Sequence, residues 1–587
     1  MTERRVAGWT TLAVAITALA TYWTTLCRTI YWGDGIELTC VAAVLGVAHP
    51  TGYPLFSLLG RAFAELPLGT VGFRLNLMSA VAAAALAALV ARAVWRLLPQ
   101  VGLLETERVA ARAFFSAAAG GTIAFSRTIW YQAGLTEVYL LNAAIFAGVL
   151  LLVARAIEER AHRLYWAACF LAALGIGNHT MAAVLVIPAL VAVGIWLAAA
   201  RDEADDRSKR RSLAAGEPLA RRLARLGGPA LLLGFLGLSV YAYLPLRAAK
   251  NPPLNWGNPS SPARFLWSVR GGEFRRNYLL KIAPGVPFDS RTYPPFFRKR
   301  VTEWLSWTAD QFAPLPASQT ELRATLGLLI LAVAAVGWRI VARRRRILAI
   351  FMAIIVGLNL FAVAIYNIPD IEGYFFPAHV IAVICLFVAF TRLCRWAEDR
   401  LLAHRSNALA ALSLALPAAL WLGMRSECDH SAYDAPERYG REVLDRLPPN
   451  AMIMTRGDYD FEPLLYQQIV LRYRRDVAVF GANFLATPGY AKYFPGRYDP
   501  PVAVPEWSRT PDGKETYYAM LVEGAILPNI ARRPLYSTWY DPLMKVEAER
   551  IEIPVLREDN VIAVEERQYF PEPCIYRLTR PGARQRP

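Results

Sequence analysis

The sequence lacks the motifs that usually hold metals, disulfides and nucleotides. Its seven cysteines form no CxxC pair, and its six histidines show no HExxH or similar ligand spacing. A metal cluster and a disulfide framework are therefore not indicated, and a divalent cation has no support from ligand spacing. No cofactor is predicted. The polar C-terminal part contains neither a GxGxxG motif nor a P-loop, so we do not expect it to bind a nucleotide.

Charged residues are also scarce. They make up 19% of the chain, against 55% hydrophobic residues and a mean hydropathy of +0.29, whereas soluble domains average about 45–50% apolar residues. The net charge of +17 comes from basic residues in short segments between apolar runs. That arrangement is typical of membrane topology signals rather than of nucleic-acid binding. The composition predicts an integral membrane protein with no nucleic-acid partner.

Apolar runs long enough to cross a bilayer recur along the chain, since a spanning helix needs about 20 such residues. The first run follows Arg4 and Arg5 and is too long for a signal peptide, so it is predicted to be a retained span. The fold class predicted is mainly α, a polytopic transmembrane bundle of about eleven spans with a small C-terminal extracytoplasmic α/β domain. The predicted spans are 7–27, 72–97, 108–126, 136–154, 164–177, 180–200, 227–246, 322–341, 347–366, 374–393 and 406–424.

The basic loops predict the orientation of the bundle. If Arg4 and Arg5 are cytoplasmic, alternation of the spans places every strongly basic loop on that same side. We therefore predict a multi-pass protein of the cell (inner or cytoplasmic) membrane with a cytoplasmic N-terminus. Residues 1–424 would form the membrane domain and 425–587 a domain outside the cytoplasm. The main outer loops would be 28–71 and 247–321. The second loop could form a helix on the membrane surface, which we favour, or a lid over the acceptor site.

The segment after Arg425 has the pattern of a small α/β domain. Strand-like residues 451–457 and 476–482 flank a helix-like stretch, which predicts at least one parallel strand pair. Asp458 and Asp460 follow the first strand, where open α/β sheets commonly bind ligands. They are equally suited to cap the following helix, and we favour the capping role for both.

Polar residues gather at the predicted outer ends of the spans. Asp34 and Glu37 lie three residues apart, so a helix would put both on one face. The alternatives are that Asp34 only caps a short interfacial helix and that His49 only braces its HPTGYP turn. Ionisable groups at membrane depth cost at least ~2–3 kcal/mol each, so several at one face indicate a functional cavity. The others at this face are Glu137, Tyr139, Asn178, His179, Asp370 and Glu372.

Six motifs in this order resemble a known family. They are GDGIEL, GVAHPTGYPLF, LTEVYLLNA, GIGNHT, NWGNPSSPARFLWSV and YNIPDIEGYFFPAH. The set resembles the family of domain of unknown function 2723, also grouped as glycosyltransferase family 117, and is similar to the animal transmembrane protein O-mannosyltransferases. Family members more often read D-S-G-E where this chain reads Asp34-Gly35-Ile36-Glu37. That departure leaves open which of the two carboxylates has the principal role.

The resemblance implies a GT-C type glycosyltransferase. Such an enzyme transfers a sugar from a polyprenyl-phosphate donor in the membrane lipid to a protein or glycan hydroxyl outside the cytoplasm, with inversion. By the resemblance, the sugar is mannose. In this hypothesis Asp34 is the general base and Glu37 orients it or the acceptor. Candidates for phosphate contact are His49, Arg74, His179 and Arg247. Candidates for the sugar pocket or other substrate contacts are Tyr53, Glu137, Tyr139, Asn142, Asn178, Asp370 and Glu372.

Two other classes of function are compatible with a polytopic chain. A transporter or flippase of a lipid-linked precursor would have internal repeats and charged groups near mid-membrane, whereas the acidic groups here gather at one face. A scaffold that only displays its C-terminal domain would leave the outer carboxylates unexplained.

Overall fold

The computed structural model describes most of the chain. The described residues are 2–104, 108–199, 218–272, 293–313, 319–366, 371–402, 406–487, 490, 498, 501–505, 513–555 and 572–580. The helices of the N-terminal body are α1 Glu3–Thr25, α2 Gly35–Val44, α3 Pro54–Ala64, α4 Val71–Gln100, α5 Val109–Phe125, α6 Arg127–Ala133, α7 Tyr139–Glu159, α8 His162–Ile176, α9 Met181–Ala199, α10 Leu219–Leu238, α11 Tyr243–Ala248, α12 Pro262–Val269, α13 Tyr293–Asp310, α14 Thr320–Arg344, α15 Arg346–Ala364, α16 Phe376–Ala397, α17 Ser406–Leu412 and α18 Ala415–Met424.

Each of the eleven predicted spans coincides with helix in this body. Within the described ranges, eight helices are long and apolar enough to cross a membrane, or nine if the pair α5 and α6, bent by 65°, forms one span. Helices α8 and the described apolar part of α9 are shorter. The chain is thus a multi-pass helical membrane protein, as predicted, while the count of eleven spans stays a prediction. Leu232 and Phe235 of α10 are strongly exposed, as lipid-facing side chains are.

One end of the bundle is held by ion pairs between helix ends. Arg96 lies 2.7 Å from Glu158, which joins the C-terminal ends of α4 and α7. Arg112 pairs with Glu3 at the starts of α5 and α1. This end carries basic segments predicted to be cytoplasmic, and the candidate site lies at the opposite end. Which side of which membrane each end faces stays a prediction.

The C-terminal domain is built on a mixed five-stranded sheet. Its strands are β1 Met452–Thr455, β2 Ala478–Gly481, β3 Leu535–Ser537, β4 Glu547–Glu552 and β5 Cys574–Thr579, in the order β2-β1-β3-β5-β4. Its helices are α19 Ala435–Asp445, α20 Asp458–Ile469, α21 Lys514–Leu521 and α22 Leu527–Ile530. Strand β1 pairs in parallel with β2 and β3, while β5 pairs antiparallel with β3 and β4. The predicted strand–helix–strand unit with a parallel pair is therefore confirmed.

Helix α20 docks this domain onto the membrane body. Ile36 and Cys40 of α2 are buried together with Tyr466 of α20. Trp32, just before α2, packs between Tyr439 and Tyr459, with ring centroids 5.8 and 6.2 Å away. The apolar contact fixes the start of α20 beside the start of α2.

The start of the 247–321 loop is wedged between the two domains. The N–H of Val47 donates to the carbonyl of Leu254 at 2.8 Å, and the N–H of Trp256 donates to the carbonyl of Val47 at 3.1 Å. The Trp256 ring meets Phe484 of the C-terminal domain, with centroids 4.5 Å apart. Because Asn255 is also buried, the favoured surface-helix interpretation does not hold for residues 253–256. Lid movement stays a hypothesis.

Candidate active site

A buried ion pair lies between the helix ends that adjoin the C-terminal domain. Glu37, in the first turn of α2, accepts the backbone N–H of His49 at 2.8 Å through Oε1 and contacts the His49 ring Nδ1 at 2.5 Å through Oε2. The Glu37 side chain is 3% exposed and that of His49 9%. Burial of a carboxylate is tolerated only when it is paired and hydrogen-bonded, and Glu37 satisfies both conditions.

The second ring nitrogen of His49 points toward two further groups. Its Nε2 lies 2.9 Å from the hydroxyl of Tyr53 and 3.7 Å from Oδ2 of Asp34. Burial lowers the pKa of His49, but the charges of Glu37 and Asp34 and the hydrogen bond to Glu37 outweigh that effect and raise the pKa to about 10. His49 is therefore an imidazolium at neutral pH.

The two carboxylates of the GDGIEL motif differ in access. Both oxygens of Glu37 are occupied by His49, whereas the Asp34 side chain is 50% exposed. A carboxylate has to reach the proton that it accepts. On geometry, Asp34 is the one that can meet a substrate, and Glu37 fixes the position of His49.

Aromatic side chains form a wall beside His49. His179, at the end of α8, stacks on Tyr53 with centroids 6.1 Å apart and contacts Tyr139 and Tyr374 at 5.7 and 5.0 Å. Burial, followed by the charge of His49, lowers the pKa of His179 to about 4. His179 is therefore neutral, which suits hydrogen bonding to a sugar hydroxyl better than the predicted phosphate contact.

Asn178 and Glu137, both predicted as site residues, lie next to this wall in the chain and hold its helices together. Asn178 is buried and donates its amide N–H to the carbonyl of Val138 at 2.9 Å, which ties the end of α8 to the start of α7. The backbone N–H of Glu137 donates to the hydroxyl oxygen of Ser79 at 3.3 Å. Several causes, burial first, raise the pKa of Tyr53 well above its usual value. The charge of Glu137 is one of them.

The two arginines predicted to contact phosphate bind backbone carbonyls instead. Arg74 donates to the carbonyls of Leu68 and Gly69 at 2.7 and 3.1 Å. Arg247 donates to those of Leu45 and Val44, at the C-terminal end of α2, at 2.7 and 3.2 Å. Within the described ranges neither guanidinium has a recorded contact with the His49 cluster. Both brace the segments that carry it, and phosphate binding by either stays a prediction.

Glu372 belongs to a different polar network. It accepts the hydroxyl of Thr128 at 3.3 Å, and Asp310 nearby binds Arg323 at 2.7 Å and lies 3.8 Å from Arg127. The structure does not bring Glu372 into contact with His49 among the residues it describes. Asp370 lies outside the described residues. Asn142, in the first turn of α7, has a buried amide oxygen with no partner in the described part of the chain.

The C-terminal domain contributes carboxylates that the sequence interpretation assigned elsewhere. Asp458 accepts the amide of Asn483 at 2.8 Å, and desolvation followed by the charges of Asp34 and Glu37 raises its pKa to about 7. Glu462, one turn later, is buried, and its pKa is raised well above the usual range by burial and then by Asp458, Asp34 and Glu37. Both therefore face the cluster from α20.

Only Asp460 has the capping role that was favoured for both aspartates. Its carboxylate accepts the N–H groups of Gly457 and Arg456 at 2.7 and 2.8 Å and the hydroxyl of Thr538. For Asp458 the capping interpretation is wrong, since its side chain turns to Asn483 and the cluster. The only sequence signal for Asp458 was its place at the end of β1, where ligands of α/β sheets commonly bind.

Comparison with known proteins gives a match in the N-terminal part of the chain. Residues 34–203 match the family described as the protein O-mannosyl-transferase TMEM260 N-terminal domain. The matched segment begins at Asp34 and includes Glu37, His49 and His179, whereas Asp458 lies beyond it.

Relatives and solved structures extend the likeness over more of the chain. The mouse protein O-mannosyl-transferase TMEM260 is 25% identical over 514 residues, which is 83% of this chain. The chain spans 65% of the length of that relative. ArnT from Cupriavidus metallidurans bound to undecaprenyl phosphate is 13% identical, with a TM-score of 0.46 over 80% of this chain and 86% of ArnT. Its apo form gives the same score and covers 85% of that chain.

An open pocket adjoins the His49 cluster on the side of the C-terminal domain. Glu37 and Glu462 lie in its wall, together with Trp256 and Phe484. Among the described residues, no group of three or more His, Cys, Asp or Glu side chains is arranged to hold a metal ion.

Proposed function

We propose that the chain is a membrane glycosyltransferase that moves a sugar, by family likeness mannose, from a polyprenyl-phosphate donor to an acceptor hydroxyl on the outer face of the membrane. The observation that carries the proposal is the accessible Asp34 carboxylate, 3.7 Å from a buried His49–Glu37 pair at the junction of the two domains. The matched domain and the name of the mouse relative support the same chemistry.

In the proposed reaction Asp34 is the general base. The acceptor O–H gives its proton to the Asp34 carboxylate while its oxygen forms a bond to C1 of the sugar. The bond between C1 and the phosphate oxygen breaks, and the polyprenyl phosphate leaves with the electron pair. A single displacement of this kind inverts the configuration at C1.

His49 and Glu37 would position the base. The imidazolium of His49 attracts the Asp34 carboxylate across 3.7 Å, and its ring is held by two contacts to Glu37 and one to Tyr53. Catalytic groups work best when neighbouring hydrogen bonds lock their geometry before the substrate arrives. In this proposal Glu37 is a positioning residue rather than a base.

The aromatic wall would receive the donor sugar. Tyr53, His179 and Tyr139 lie together beyond His49, and aromatic rings with a few polar atoms are typical of small-molecule sites. The acidic groups lie at one end of the bundle beside the sheet domain, an arrangement that favours transfer at an interface over transport through mid-membrane.

The test is transfer of radiolabelled mannose from a polyprenyl phosphate in membranes containing the full chain. We expect Asp34→Asn to reduce transfer by about 10²-fold or more, the usual range for a general base. Glu37→Gln should reduce it less. Asp445→Asn, which changes an exposed carboxylate at the end of α19, is the matched control and should keep wild-type activity. Unchanged transfer by Asp34→Asn would remove the proposed base.

A further inference from the structure

Four arginines converge at the end of the bundle opposite the candidate active site. Arg92 and Arg96 lie near the end of α4, Arg155 lies near the end of α7, and Arg112 lies near the start of α5. The charges of the other three arginines all act on Arg92, so the four guanidinium groups form one arginine cluster. The proposed sugar transfer uses none of these residues.

Arg92 has the least support within the arginine cluster. Arg96 lies 2.7 and 3.2 Å from Glu158 and Glu159, and Arg155 lies 3.0 Å from Glu159. Arg92 is partly buried, and it makes neither a hydrogen bond nor an ion pair with any residue in the described ranges. Arg96 also lies one helical turn from Arg92, where a like charge is unfavourable.

Arg112 is buried with part of its guanidinium group unused. It pairs with Glu3 and lies over the ring of Trp95, 4.3 Å from the centroid. The residue is 2% exposed, yet its Nε and Nη1 lack a hydrogen-bond partner among the described residues. A buried donor without a partner is costly, so the positive charge of Arg112 is only partly compensated at the place where Arg92 lies.

The placement of these arginines differs from that of a simple topology signal. Positive-inside residues act from the loops beside the spans and need no contact with one another. Arg92 and Arg112 lie inside helices, among packed side chains. Burial of an incompletely paired charge costs free energy, and an anion at this place would recover part of that cost. Basic pockets between spanning helices are known to bind phosphate-bearing lipid head groups.

We propose that the arginine cluster binds the phosphate group of an anionic membrane phospholipid, with Arg92 as the principal contact. Guanidinium groups bind phosphate through two parallel N–H···O bonds. Four guanidinium groups face the three carboxylates of Glu3, Glu158 and Glu159, which leaves one positive charge in excess. That excess matches a head group with one net negative charge, and the helix ends lie where such head groups are found.

The inference goes beyond the proposed function, because this site and Asp34 lie at opposite ends of the bundle. A phosphate bound by Arg92 of α4 beside Arg112 of α5 and Arg155 of α7 would hold the ends of three helices together. The bound lipid is therefore expected to stabilise the fold without supplying a sugar. Any ligand that binds only the folded state raises the unfolding temperature in this way.

The test is lipid binding by the full chain in a mild detergent, measured by native mass spectrometry and thermal unfolding. We expect wild-type protein to retain one phosphatidylglycerol and to unfold at a higher temperature when that lipid is added. Zwitterionic phosphatidylcholine should bind more weakly and give a smaller shift. Arg92→Gln should weaken phosphatidylglycerol binding about tenfold, the effect of one lost charge-assisted contact. Arg92→Lys keeps the charge and should lose less.

Two controls separate binding from folding. Arg221→Gln removes one exposed positive charge in the first turn of α10, outside the arginine cluster, and should bind lipid as the wild type does. In the absence of lipid, Arg92→Gln should unfold at the same or a higher temperature than wild type, because it removes a like charge beside Arg96. Weaker binding by this variant then reports the loss of the phosphate contact and not a damaged fold.

Three results would overturn the proposal. They are equal binding of phosphatidylglycerol and phosphatidylcholine by the wild type, a preference that Arg92→Gln leaves unchanged, and an equal, Arg92-dependent stabilisation by inorganic phosphate alone. The last result would assign the arginine cluster to a free anion instead of a lipid. Since no sugar donor is present in these measurements, their failure leaves the proposed function standing.

Discussion

Replacing Glu37 by Gln should expose how much the buried ion pair contributes to stability. The substitution keeps the size of the side chain and one possible acceptor, but removes the negative charge that faces His49 at 2.5 Å. Removing one partner of a buried pair typically costs about 3–5 kcal/mol, because the other charge is left without compensation. We expect a loss of that order, since both side chains are less than a tenth exposed.

The loss should depend on pH in a defined direction. The pKa of His49 is about 10 in the folded protein and 6.5 in the unfolded chain. A raised histidine pKa contributes stability that is complete below pH 6.5 and is lost as pH rises toward and through 10. The difference between wild type and Glu37→Gln should therefore be largest near pH 6 and smaller near pH 10.

Thermal unfolding of the purified protein in detergent, followed from pH 6 to 10, measures this difference. Glu65→Gln is the matched control, because Glu65 is exposed and its pairing with Arg61 is a surface ion pair worth about 0–1 kcal/mol. Equal unfolding temperatures for wild type and Glu37→Gln at pH 6 would refute the buried-pair reasoning, as would a difference that grows toward pH 10.

Two further substitutions probe how the site is held. Gly35→Ala would put a Cβ 2.5 Å from the backbone oxygen of Thr136, so we expect the free energy of unfolding to fall by about 1–3 kcal/mol and sugar transfer to be reduced. Gly8→Ala is the control, because its Cβ would have nothing within 4 Å. It should be tolerated in the same unfolding and transfer assays. Asp460→Ala removes the acceptor of two N–H groups at the start of α20. It should lower the free energy of unfolding, measured by chemical denaturation, by about 1–2 kcal/mol, and an unchanged free energy would contradict the capping role.

The sequence by itself determined the elements and the local part of the site. Runs of about 20 apolar residues give helices wherever they occur, because a bilayer leaves no other partner for backbone N–H and C=O groups. The β1–α20–β2 unit follows from a short-range pattern in the same way. Asp34, Glu37 and His49 lie within 16 positions of one another, so one turn between α2 and α3 suffices to bring them together.

Only the tertiary structure decided which distant polar groups meet. Asp458 and Glu462 reach the cluster because the apolar faces of α2 and α20 bury each other, a contact between segments more than 400 residues apart. The hydrogen bonds that Arg74 and Arg247 donate to backbone carbonyls were likewise visible only in the tertiary structure. Apolar periodicity is a local property of the chain, whereas the partner of a charged side chain depends on long-range packing, and that physical difference separates what could be predicted here from what could not.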